Sequence, residues 1–253
     1  MPELPEAERA RRQLERVVGR EIVAVDDRDT YVCRPHAPGE MAAALVGHRL
    51  VDTHRRGKFL WAETDGGPAL GLHLGMAGSL TVDEAPSPED EAHPPRFALD
   101  FAGGGRLALR DKRRLGRAVL EPDISHVGPD AAEVGREEFR SRVGRGSASL
   151  KARLLDQGVV AGVGNLLADE ILWRARLSPR RPAGDLSVEE LDALRRAVRA
   201  AIRDAIRRGG AHTGRLNPQR VRGGRCPRCG AELSRATIGG RTTFWCPACQ
   251  PGY

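Results

Sequence analysis

Along this chain the spacing of apolar residues changes once, and the change divides it in two. From Leu4 to Val18 the positions Leu4, Ala7, Leu14, Val17 and Val18 recur at helical spacing, with Pro5 suited to a first turn, so a helix is expected almost at once. Segments 21–26, 49–64, 69–82, 97–101 and 107–120 then alternate Val, Leu and Thr with polar residues and are separated by turn signals such as Gly103-Gly104-Gly105. They predict an antiparallel β domain. Residues 83–95, acidic and proline-rich, read as a surface loop, and 121–135, with two prolines and two glycines, as a linker. Beyond it the period is helical. Short helices are expected at 150–156 and 166–174, and Ser187 with Glu190 makes a capping box for a longer one. Its stripe of Val188, Leu191, Leu194, Val198, Ile202 and Ala205 reads as core, and Gly209-Gly210 stops it.

With 253 residues, 40% hydrophobic and 30% charged, the chain suits one large or two globular domains and excludes fibrous or wholly disordered structure. The net charge of +7 is unevenly placed, −3 over residues 1–125 and +10 over 126–253, so a polyanionic partner belongs mainly to the second half. No stretch of 18 apolar residues occurs, and the N-terminus opens on prolines and glutamates; a soluble, unexported, cytoplasmic protein with no membrane partner is expected. Arginine supplies 38 of the 41 basic residues, which makes Lys58, Lys112 and Lys151 candidates for work that needs a compact primary amine.

Four of the five cysteines form two C-x-x-C knuckles, Cys226/Cys229 and Cys246/Cys249, separated by 16 residues. Four thiolates on two tight turns can hold one structural zinc ion in a tetrahedron; two disulfides are the alternative, which the absence of an export signal disfavours. The segment Gln157 to Asn165 carries three glycines and places Asn165 as N-cap of the following helix. Its exposed N–H groups would suit a phosphate, or the segment is an ordinary turn. At the other end, removal of Met1 would leave Pro2 with a free secondary amine, a nucleophile able to form an iminium with an aldehyde-like carbon, and Glu3 beside it could carry protons.

Six motifs in order, Met-Pro-Glu-Leu-Pro-Glu at 1–6, Arg-Gly-Lys-Phe-Leu at 56–60, His-Leu-Gly-Met-Ala-Gly-Ser-Leu at 73–80, Asp-Lys-Arg-Arg-Leu-Gly at 111–116, Gly-Val-Gly-Asn at 162–165 and the terminal knuckles, span nearly the whole chain. Together they resemble the formamidopyrimidine-DNA glycosylase and endonuclease VIII family. The resemblance implies an α+β multidomain fold: an N-terminal β-sandwich with a flanking helix, then a helix-two-turn-helix domain ending in a zinc finger. The expected domains are 1–121, a linker at 122–135, 136–221 and 222–253. It also implies a bifunctional base-excision enzyme, a DNA glycosylase and abasic-site lyase, acting as a monomer on damaged double-stranded DNA held in a cleft, and associated with the nucleoid if bacterial.

Carried over residue by residue, Pro2 is the nucleophile at deoxyribose C1′, Glu3 the proton donor that helps open the sugar, Lys58 the residue assisting β-elimination and Arg241 the phosphate contact supporting δ-elimination. Met76, Arg113 and Leu115 match the wedge that fills the gap left by a flipped nucleotide, with core packing as the alternative for Met76 and Leu115. His73, His93, Lys151 and Asn165 match DNA-contacting positions, and Lys112 matches none. Two features depart from the family. Leu115 stands where phenylalanine is common, and 209–225, where formamidopyrimidine glycosylases carry a loop that closes over 8-oxoguanine, is much shorter. A strict 8-oxoguanine preference is therefore not expected. A non-catalytic DNA-damage binder is the alternative function, and an isomerase using the N-terminal proline as base leaves the zinc site and basic half unexplained.

Overall fold

The computed structural model describes residues 2–84 and 93–252, so most of the acidic surface loop expected at 83–95 lies outside the described residues. The chain forms two compact units, one containing Ala7–Ile124 and the other combining Glu3–Glu6 with the chain from Ser125 onward. A division by chain position alone does not anticipate that the opening residues belong with the second unit.

From Ala7 on, α1 (Leu4–Glu15) belongs to the first unit and buries Ala7, Ala10 and Leu14 on one face. The strands are β1 (Ile22–Asp26), β2 (Leu50–Arg56), β3 (Phe59–Thr64), β4 (Leu70–His73), β5 (Ser79–Asp83), β6 (Phe97–Phe101), β7 (Arg106–Arg110) and β8 (Arg117–Leu120), with a short helix α2 (Glu40–Leu45) that apolar spacing did not reveal. They make two four-stranded antiparallel sheets, β1-β6-β7-β5 and β2-β3-β4-β8. Ile22, Leu80, Leu99, Leu107 and Leu109 of one share a core with Leu50, Leu60, Leu70 and Leu72 of the other. Each such side chain contributes on the order of 1.5–3 kcal/mol by leaving water, and two sheets facing one core make a sandwich.

The strand pattern is finer than hydrophobic alternation shows. Segment 49–64 is a hairpin, β2 and β3, turning at Gly57-Lys58. Segments 69–82 and 107–120 each leave one sheet and enter the other, because β4 and β8 belong to one sheet and β5 and β7 to its partner. The two crossings, 74–78 and 111–116, carry Met76, Arg113 and Leu115.

The second unit packs α3 (Arg136–Val143), α4 (Leu150–Leu155), α5 (Asn165–Ala175) and α6 (Val188–Arg208) around Leu4, Phe139, Val143, Leu154, Ile171, Leu194 and Ile202. The capping box of α6 is present, with Glu190 N–H donating to Ser187 Oγ at 3.3 Å and Ser187 N–H to Glu190 Oε2 at 2.8 Å. A β-hairpin, β9 (Ser234–Ile238) and β10 (Arg241–Trp245), ends the fold; Trp173 of α5, Leu216, Cys226, Leu233 and Cys246 form a small core beneath it.

Candidate active site

Glu3 occupies the place where the sequence suggested a phosphate. Its buried carboxylate accepts N–H bonds from Gly164 (3.1 Å) and Leu167 (3.0 Å) at Oε2 and from Leu166 (2.8 Å) at Oε1, all at the N-terminus of α5. Unpaired N–H groups and the positive end of the helix dipole suit an anion there, and the chain's own glutamate is that anion. Glycine is required at 164, because a Cβ would lie 2.3 Å from Glu3 Cδ. The cap is Gly164, and Asn165 is the first helical residue, not the N-cap. Leu4 N–H donates to the Gly162 carbonyl at 3.0 Å and Glu3 N–H to Glu6 Oε2 at 2.9 Å, so the backbone directly after Pro2 is held at both residues.

Lys58 sits in the β2–β3 turn, and His73 ends β4 opposite Phe59, with their rings 5.0 Å apart. His73 Nδ1 accepts the Gly75 N–H at 3.1 Å, which leaves the proton of the neutral ring on Nε2. Burial, and then the nearby Lys58 charge, hold its pKa below the usual histidine value.

Met76 and Leu115 are 41% and 36% exposed, so the core-packing alternative fails for both, and Arg113 is exposed beside them. Their crossings touch: Gly75, at φ +59, lies so close to Leu115 that a Cβ would sit 2.4 Å from its carbonyl carbon. Asp111, which motif matching gave no role, folds the second crossing from within. Its buried carboxylate accepts N–H bonds from Arg113 (2.9 Å), Leu115 (2.7 Å) and Gly116 (2.7 Å), which turns the Arg113 and Leu115 side chains outward. Arg114, at φ 55, makes a bidentate pair with Asp29 at 2.9 and 2.7 Å. His93 is exposed and lines a cavity of about 360 Å³ with Ser79, Arg96, Arg110 and Lys112.

The four cysteine Sγ atoms lie within 4.8 Å of one another, with Cys229–Cys246 at 3.5 Å and Cys226–Cys249 at 4.0 Å. Ligands about 2.3 Å from a tetrahedral zinc lie roughly 3.8 Å apart, whereas a disulfide brings two sulfurs to about 2.05 Å, so the cluster fits one zinc and not two disulfides. Donors suited to thiolates are in place: Trp173 Nε1–H to Cys226 at 3.3 Å, Arg228 N–H to Cys226 at 3.4 Å and Cys249 N–H to Cys246 at 3.4 Å. The ion would tie the two knuckles below the hairpin, and Arg241 is exposed at the start of β10, beside the Gly239-Gly240 turn.

Lys151 is not at the surface. Its side chain is fully buried, with Nζ bonded to Asp169 and to Asn165 Oδ1 (2.7 Å), and burial pulls its pKa below the ordinary lysine value while Asp169 opposes that shift. A direct phosphate contact would require it to leave this site.

The profile of the formamidopyrimidine-DNA glycosylase N-terminal domain matches residues 1–118, that of the helix-two-turn-helix domain of the same enzymes 127–216, and a zinc finger found in these enzymes and in IleRS 223–252. Formamidopyrimidine-DNA glycosylase from Roseiflexus sp. is 38% identical over 275 aligned positions, covering 99% of this chain and 100% of that protein. The chain belongs to the formamidopyrimidine-DNA glycosylase family. These are base-excision repair enzymes, DNA glycosylases with abasic-site lyase activity. Two complexes of Lactococcus lactis Fpg, one with DNA containing an abasic site (28% identity) and one with DNA containing an oxidised pyrimidine (29%), each superpose with a TM-score of 0.85 over 99% of this chain and 100% of that one. Against the family's implied site, the structure brings Lys58 near His73, and Met76 near Leu115, within the sandwich. Glu3, Lys151 and Asn165 gather at α5 of the second unit. Asp111 and Asp169 escaped notice because a lone aspartate is an ordinary surface residue by type, and only burial shows otherwise.

Proposed function

We propose that this glycosylase excises oxidised and ring-opened bases and then cuts the strand by β,δ-elimination through a Schiff base on Pro2. The Pro2 nitrogen, freed by removal of Met1, attacks C1′ with its lone pair; the N-glycosidic bond breaks, and the base leaves with the bonding pair and takes up a proton. After passing its N–H proton to the Glu3 carboxylate, the nitrogen expels O4′, which takes that proton from Glu3, and an iminium joins Pro2 to C1′. The iminium acidifies C2′; loss of a C2′ proton, assisted by Lys58, breaks the C3′–O bond and expels one phosphate. A second elimination breaks the C5′–O bond, with Arg241 holding the departing phosphate, and water hydrolyses the remaining imine. The observation that carries this reading is the Glu3 carboxylate, fixed through both oxygens by three backbone N–H groups one peptide bond from Pro2.

Met76 and Leu115 enter the gap left by the extruded nucleotide, and Arg113 reads the orphaned base. His73, His93 and Asn165 support the DNA backbone around it, with Lys151 acting from within by holding Asn165, and the enzyme works as a monomer on duplex DNA in the cytoplasm. Lesion choice is broad. After α6 the chain is drawn into two short turns, Ala211–Thr213 and Asn217–Gln219, fastened by Glu6 to the Ala211 N–H (2.7 Å) and by Glu170 to the Leu216 N–H (2.8 Å). That leaves little chain to close over 8-oxoguanine.

A panel of duplexes, each with one lesion or an abasic site and each opposite every base, tests this by excision and strand cleavage. Ring-opened purines, oxidised pyrimidines and abasic sites should all be processed to β,δ products. Dominance of 8-oxoguanine opposite cytosine by a wide margin refutes the lesion reading, and binding without cleavage of any duplex supports the non-catalytic binder.

A further inference from the structure

Arg241 is exposed, and its Nη1 meets only the neighbouring Gly240 carbonyl, at 3.5 Å, among the described contacts of its side chain. The placement of its guanidinium therefore depends on its backbone. A zinc ion on the four cysteines would fix the chain just past β10, at Cys246, but at about 3.3 Å per residue the five steps to Arg241 span roughly 16 Å, and an isolated two-stranded hairpin is marginal in water.

The hairpin is gripped between those ends by a circuit of polar groups centred on the buried Asp169 and Lys151. The Thr242 carbonyl accepts from Asn165 Nδ2 (3.0 Å) and from Arg220 Nη2 (3.2 Å). Phe244 N–H donates to Asp169 Oδ2 at 3.1 Å, and Arg220 Nε donates to the same oxygen at 2.9 Å. Asp169 Oδ1 accepts from Lys151 Nζ, which also donates to Asn165, closing the circuit through α4 and α5. The Lys151 and Asp169 side chains are fully buried, and the Phe244 N–H bond to Asp169 is buried as well, so water does not substitute for a partner lost at that carboxylate, whereas the bonds to the Thr242 carbonyl lie at the surface.

We infer that Asp169 and Arg220 are positioning residues for strand cleavage, locking the Arg241 hairpin to α5 so that the second elimination depends on a carboxylate that touches no substrate. This rests on the role proposed above for Arg241. Asp169→Asn keeps the shape but turns an NH₂ group toward donors, on the Lys151 side or on the Arg220 and Phe244 side. Arg220→Met removes the grip on both Asp169 and the Thr242 carbonyl without leaving a new buried cation.

The test follows single-turnover cleavage of preformed abasic-site DNA by the zinc-loaded protein, resolving β from β,δ products, with Arg241→Ala alongside. Asp169→Asn should retain one zinc per chain and form β product, while its δ step slows about a hundredfold, the cost of misplacing a catalytic group by on the order of 1 Å. Hydrogen exchange at the Phe244 amide should quicken, and Arg220→Met should move both readouts in the same direction, which keeps the test available if Asp169→Asn does not fold. If Arg241→Ala leaves the product ratio unchanged, the role of Arg241 and this inference fall together. If Arg241→Ala changes it but Asp169→Asn and Arg220→Met do not, the positioning lock alone is refuted.

Discussion

Asp111→Asn separates the fold of the wedge from its chemistry. The carboxylate is 3% exposed and holds three N–H groups, Arg113 on Oδ1 and Leu115 and Gly116 on Oδ2. Asparagine fits the same volume but has one acceptor oxygen. With that oxygen toward Leu115 and Gly116, the NH₂ group faces the Arg113 N–H, and a charge-assisted bond contributing about 1.5–3 kcal/mol is lost. The other two bonds lose their ionic partner and roughly half their strength, about 1 kcal/mol each, for a total of about 3.5–5 kcal/mol. At about 1.4 kcal/mol per factor of ten, local opening becomes roughly three hundred to a few thousand times more frequent. Amide exchange at Leu115 and Gly116 reads this directly, and excision should fall in parallel because Arg113 and Leu115 are no longer pre-placed. A change in exchange below about threefold would show that Asp111 does not set this crossing, whatever happened to activity.

Other consequences follow from the same geometry. Replacing Met76 and Leu115 together by alanine should leave stability within about 0.5 kcal/mol, as for exposed sites, yet lower excision at least tenfold; equal losses in urea midpoint and activity would return both to a packing role. His73 has a folded pKa below its unfolded value near 6.5, so the unfolded chain binds more protons just below that pH and stability falls as pH drops through about 6.5. Urea midpoints against pH should show this limb, His73→Gln should flatten it, and an unchanged limb would exclude His73 as its source. Stripping zinc with a thiol-reactive chelator should abolish δ product and weaken DNA binding, measured by gel analysis and anisotropy, and readdition should restore both; full δ activity without metal would refute a hairpin held in part by the ion.

Much of this was legible in the sequence because it rests on local spacing. The α6 stripe and its Ser187–Glu190 box, the paired knuckles, and the extended segments of the sandwich are read from neighbours a few residues apart. Strand ends were less legible, since 69–82 and 107–120 keep their alternation while passing from sheet to sheet, and alternation does not record which sheet a strand joins. The six-motif resemblance supplied the family, but not what holds its parts. The glycine-rich turn at 157–165 did present an anion site, yet its occupant, Glu3, lies more than 150 positions away, and only folding pairs them. Lysine scarcity pointed to Lys151 without revealing that its amine is buried against Asp169.

The central claim is that Pro2 becomes covalently joined to C1′. Borohydride reduction during reaction with abasic-site duplex, followed by intact mass and peptide mapping, tests it on protein shown by mass to lack Met1. The account predicts one stable adduct per chain, mapped to Pro2 and absent from Pro2→Gly. An adduct mapped to Lys58 or another amine, or strand cleavage with no trappable adduct, would contradict it.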